Sequence, residues 1–99
     1  MALRFYPMIR SFRSKALRRF AEEGDPSKLG VRNAGRIGRI LMRLNQARVP
    51  EDMNASGLRF HPLKRQDKGR WAVWASGNYR ITFAWSGNDA IDIDLEDYH

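Results

Sequence analysis

In the second half of the chain apolar residues recur at every second position, and two Ser-Gly-Asn turns cut the pattern into strand-length pieces. Trp71, Val73 and Ala75 alternate with Ala72 and Trp74; Tyr79, Ile81, Phe83 and Trp85 alternate with Arg80, Thr82 and Ala84; Ile91, Ile93 and Leu95 alternate with Asp92, Asp94 and Glu96. A period of two puts one set of side chains on each face of a strand. Ser76-Gly77-Asn78 and Ser86-Gly87-Asn88-Asp89 are hairpin turns. With the run that begins at Leu58, they dictate a four-stranded antiparallel meander. One face of such a sheet is apolar and must be covered by other elements.

The first half supplies the cover. Residues 8–12 alternate and read as a short strand. Ser14 can cap a helix running through Phe20 to Glu23, with Gly24 as its stop. Asp25-Pro26-Ser27 opens a turn or a short helix. Ala34, Ile37, Leu41 and Leu44 recur at spacings of three and four, the stripe of an amphipathic helix. Arg32, Arg36, Arg39 and Arg43 repeat on another face. That row is either a solvated surface or a grip on phosphates. Gly35 and Gly38 interrupt the helix at about 1 kcal/mol each relative to Ala, a cost that close packing against the sheet or against a partner would explain. The expected fold is α+β: a single domain with an N-terminal strand and two or three helices packed on one face of an antiparallel sheet. Residues 8–99 form this domain, and residues 1–7 are expected to be a dispensable extension, with Met8 an alternative start.

Charge narrows the partners. The net charge of +7 is uneven: residues 1–48 hold 12 Lys/Arg against 3 Asp/Glu, and residues 49–99 hold 6 against 8. A basic half of this kind suits a polyanion, because each cation placed on a phosphate releases a counterion. There is no cysteine, which excludes thiolate catalysis, Cys-based zinc sites and a disulfide framework. No apolar run approaches the ~20 residues of a membrane span. A cytoplasmic protein without membrane partners is expected.

Three clusters carry chemistry: Phe60-His61-Pro62-Leu63-Lys64, Gly77-Asn78-Tyr79-Arg80-Ile81-Thr82-Phe83, and the tail Asp97-Tyr98-His99. Neighbouring antiparallel strands bring such residues within reach on one face. Arg80 is the strong cation on the polar side of its strand, and the tail combines a carboxylate, a stackable ring and an imidazole that titrates near neutrality. Each also has a plainer reading. His61 is a strand-end hydrogen-bonding residue, Lys64 belongs to a turn, Arg80 is a counter-ion for Asp92 or Asp94, and Tyr98 and His99 are a loose tail. Trp71, Trp74 and Trp85 read as core or sheet-face packing. No ligand spacing suggests a metal site.

These clusters, together with Met8-Ile9-Arg10-Ser11-Phe12-Arg13 and Leu95-Glu96-Asp97-Tyr98-His99, resemble the HigB-type toxins of bacterial type II toxin–antitoxin systems, within the RelE/ParE superfamily. The resemblance runs over nearly the whole chain from about Met8, with the boxes in the family's order and spacing. It implies a ribosome-dependent mRNA endonuclease that inhibits translation, needs no metal or cofactor, and is held in a hetero-oligomer by a HigA-type helix-turn-helix antitoxin. Its active residues would be His61, Lys64, Arg80, Asp97, Tyr98 and His99. Arg80 and Lys64 would meet the phosphate, either His61 or Asp97 would take the 2′-hydroxyl proton, His99 would protonate the leaving oxygen, and Tyr98 would stack on a base. The arginine row would bind ribosomal RNA. A gyrase-blocking ParE-like toxin that needs no acid–base tail, or a binding module that has lost catalysis, remain as alternatives.

Overall fold

The computed structural model describes residues 8–97; the expectations for residues 1–7, Tyr98 and His99 lie outside that range. Two α-helices, α1 (Lys15–Glu23) and α2 (Ala34–Gln46), precede a sheet of β1 (His61–Pro62), β2 (Trp71–Ser76), β3 (Tyr79–Ser86) and β4 (Asp89–Asp97). Strand order is β1-β2-β3-β4, all antiparallel, so the meander expected from the alternation is present. Both hairpins turn through Gly-Asn. Gly77 (φ 55°) and Gly87 (φ 61°) take the left-handed conformation at the first central position, as a II′ turn requires.

The helices form where their caps allow. The Ser14 hydroxyl accepts from the Leu17 amide at 3.0 Å, and Gly24, in the left-handed region, donates to the Phe20 carbonyl. Asn33 caps α2 through the Arg36 amide. Residues 25–28 form a turn, not a helix, with the Ser27 amide donating to Asp25. Leu17 and Ala21 of α1 and Ile37, Ile40, Leu41 and Leu44 of α2 are buried against Val73, Ile81, Phe83 and Ile93. Trp71 stacks on Phe83 (6.3 Å) and Trp85 meets its edge (6.1 Å). One face of the sheet is thus the floor of the core.

Three sequence expectations change. The N-terminal strand shrinks to one parallel bridge, Phe12 to Ile93, because Ser14 already caps α1 and leaves only a few residues to pair. Gly35 is exposed, and a Cβ there would meet only Arg39 and Asn33 side-chain atoms at 3.6 Å and 3.7 Å, so packing against the sheet does not explain it. The third change governs the site. Ser86 pairs with Asp89 and Ala84 with Ile91, yet Thr82 pairs with Asp94 and Arg80 with Glu96. An extra residue therefore enters β4 at Asp92, whose φ is 51°, a β-bulge. Ile91 falls opposite Ala84 on the polar side, while Ala90 and Ile93 are fully buried. Without that insertion Arg80 would lie opposite Leu95, and every side chain beyond would swap faces.

Ser11 secures the bulge: the Asp92 amide donates to its Oγ at 2.8 Å, and that hydroxyl donates to the Asp92 carboxylate at 3.0 Å. Ser11→Ala is expected to lower the unfolding free energy by about 1–2 kcal/mol. Gly35→Ala is expected to raise it by about 0.5 kcal/mol. Urea midpoints at unchanged slope measure both.

Candidate active site

The face of the sheet turned away from the helices carries the polar set. Cross-strand pairing places His61, Ala72, Thr82 and Asp94 in one row and Trp74, Arg80 and Glu96 in the next. Directly paired residues share a face, so His61 and Arg80 lie on the same side. The Arg80 partner differs from the expected Asp92 or Asp94. It is Glu96, directly opposite, whose Oε1 accepts from Arg80 Nη2 at 3.0 Å and Nε at 3.3 Å. The bulge supplies the reason, since it advances β4 by one residue.

The contact continues inward. The Thr82 hydroxyl donates to Glu96 Oε2 at 2.7 Å and accepts from Arg70 Nη2 at 2.9 Å. Arg70 Nη2 also donates to the Asp92 carbonyl at 2.8 Å. Arg70 is 6% exposed. Burial, reinforced by the charge of Arg13, lowers the pKa of its guanidinium, while Glu96, Asp94 and Asp92 oppose that shift. Burial pushes the Glu96 carboxyl up, but hydrogen bonds from Thr82 and Arg80 and the charges of Arg80 and Arg70 outweigh it and leave the pKa lowered. The sequence reading missed Arg70, Thr82 and Glu96. Thr82 and Glu96 carried a signal, sharing the polar alternation with Arg80; Arg70, in a run of charged turn residues, carried none.

His61 is exposed, and its Nδ1 lies 2.8 Å from the Arg59 carbonyl. A carbonyl only accepts, so Nδ1 carries the hydrogen and the neutral ring keeps Nε2 as its basic nitrogen. Lys64 is exposed, two residues beyond β1, at the start of a 3₁₀ turn. Asp97 pairs with Tyr79, which packs against the core, so strand alternation sets it on the side opposite Arg80 and Glu96. The arginine row is divided. Arg32 and Arg39 are exposed. Arg43 Nε donates to the Asp52 carbonyl and Arg36 Nη2 to the Gly57 carbonyl, each at 3.0 Å.

A family model described as the RelE-like toxin of the type II toxin–antitoxin system HigB matches residues 10–99. The chain belongs to this HigB-like toxin family. Among curated proteins, an endoribonuclease HigB from Proteus vulgaris is 34% identical over 92 residues, covering 93% of this chain and all of that protein. Membership implies an antitoxin partner. The HigB-like match takes in every cluster singled out in the sequence.

Glu96 makes stability of this HigB-like fold depend on pH. Its folded pKa lies below the ordinary 4.5, so the stabilisation is complete above that value and disappears as pH falls through the lower folded one. Glu96→Gln should flatten this acid limb in urea titrations between about pH 5 and 2. Thr82→Val should cost about 1–3 kcal/mol, because it removes the hydroxyl that bridges Arg70 and Glu96 and leaves each charged group one hydrogen bond short.

Proposed function

We propose that this toxin is a ribosome-dependent mRNA endonuclease acting in the cytoplasm, with a HigA-type helix-turn-helix antitoxin as the partner that restrains it in a hetero-oligomer. The observation that carries the reading is the open sheet face: a guanidinium held on two hydrogen bonds by Glu96, on the same side as an imidazole whose Nε2 is its basic nitrogen. The Proteus vulgaris relative named as an endoribonuclease supports it.

Cleavage proceeds by attack of the 2′-hydroxyl on the adjacent phosphorus. Nε2 of His61 takes the hydroxyl proton. Its tautomer, held by the Arg59 carbonyl, favours it over Asp97, which alternation sets on the other side of β4. Arg80 and Lys64 neutralise the charge that builds on the phosphate oxygens, a stabilisation that is strongest when the cations are fixed beforehand. The P–O5′ bond breaks, His99 protonates the departing oxygen and Tyr98 orients a base. Exposed Arg32, Arg39 and Arg43 contact ribosomal RNA, and the half-buried Arg36 contributes less.

Primer extension on transcripts after induction of the chain without antitoxin tests the reading. The parent should produce codon-phased cuts and growth arrest. Arg80→Ala, His61→Ala and His99→Ala should each reduce cutting by about 10²–10⁴-fold, the usual range for a phosphate cation or acid–base group. Arrest without cuts, or cuts that persist in Arg80→Ala, would contradict it.

A further inference from the structure

The polar face holds a second cationic cluster that the cleavage scheme does not use. Trp74 is the cross-strand partner of Arg80; it is half-buried and lies on the sheet face opposite the Trp71–Phe83–Trp85 group that packs on the core. Its indole is fixed at the edge by Nε1, which donates to the Gly77 carbonyl at 3.0 Å. Two guanidiniums lie over the ring, Arg36 at 4.5 Å and Arg59 at 5.1 Å from its centre. Arg36 is anchored by Gly57. Arg59 is exposed, and its carbonyl is the one that holds His61. Among the described residues neither arginine has a carboxylate within 4.0 Å, so the cluster carries positive charge with no internal counter-ion.

We infer that Trp74 and Arg59 form a nucleotide subsite beside the cleavage position, where the exposed Arg59 guanidinium swings off the indole to meet a phosphate and a base of the RNA strand takes its place on the ring. The inference rests on the endonuclease reading and extends it to a nucleotide flanking the cut. Indole and guanidinium planes are the surfaces on which unpaired bases stack, and uncompensated arginine is what a phosphate seeks. Cross-strand neighbours lie about 5 Å apart and diagonal ones about 7–8 Å, so a base on Trp74 is adjacent to a phosphate on Arg80. Arg59 joins the two functions in one residue, because its main chain sets the His61 tautomer and its side chain sits over the ring.

The test is binding of a fluorescein-labelled 2′-O-methyl RNA decamer, which lacks the attacking hydroxyl, to the full chain by anisotropy across a salt series. Trp74→Ala should weaken binding roughly tenfold at every salt concentration, the usual loss of one stacked base, and Trp74→Phe should restore most of it. Arg59→Ala should weaken binding and reduce the logarithmic salt slope by about 0.7, one single-strand phosphate contact. Equal affinity in Trp74→Ala and parent, no binding by any form, loss in Trp74→Phe as large as in Trp74→Ala, or tighter binding of an Asp/Glu decapeptide than of RNA would overturn the subsite. A parent that cuts message while Trp74→Ala binds the decamer normally loses only the subsite. A parent that binds through Trp74 and never cuts loses only the endonuclease reading.

Discussion

The buried guanidinium of Arg70 is the contact on which the polar face depends. It ties the start of β2 to the Thr82 hydroxyl of β3 and the Asp92 carbonyl of β4, so one side chain spans three strands. The Asp92 carbonyl is available because the bulge turns the backbone there, and Ser11 satisfies the amide and carboxylate of the same residue. The N-terminal segment, the bulge and Arg70 thus stabilise one another. Their joint effect is register: the one-residue advance in β4 sets Glu96, not Leu95, across from Arg80. A buried charge left without partners costs several kcal/mol, and that penalty discourages the slipped alternative.

From this follows the character of the Arg80–Glu96 pair. Both side chains are partly exposed (22% and 31%), and pairs of that kind contribute little net stability, about 0–1 kcal/mol. Its consequence is placement. Glu96 is aimed by Thr82 from below and holds the guanidinium fork on the open face, where a phosphate can take over its donors at small cost. Fixing a cation before the substrate arrives is how such groups stabilise a transition state without reorganising. Arg70 acts on Glu96 only through Thr82 and their charges, so it is a positioning residue.

Much of this was legible in the sequence. Caps at Ser14 and Gly24, the stripe Ile37, Leu41 and Leu44, and two Gly-Asn turns marked both helices and the meander, because each rests on local chemistry. The bulge at Asp92 was not legible, since counting by twos assumes an unbroken ladder and the insertion is held by distant Ser11 and Arg70. Hence simple alternation puts Ile91 on the wrong face, and the plainer reading of Arg80 as a counter-ion names Asp92 or Asp94 in place of Glu96. The reach of Arg36 to Trp74 and of exposed Arg43 to the Asp52 carbonyl is equally hidden, because helical spacing reports which face a residue occupies and not what a long side chain reaches.

A HigB-like toxin with this face brings an imidazole and a fixed guanidinium to one side of a sheet, the groups that the proposed cleavage of RNA through its own 2′-hydroxyl requires. The end groups of the fragments test that chemistry most directly. Message cut by the parent chain on ribosomes should carry 2′,3′-cyclic phosphate on the upstream piece and a 5′-hydroxyl on the downstream piece. Fragments ending in 3′-hydroxyl and 5′-phosphate would mean that water or another nucleophile attacked instead, and would contradict the account.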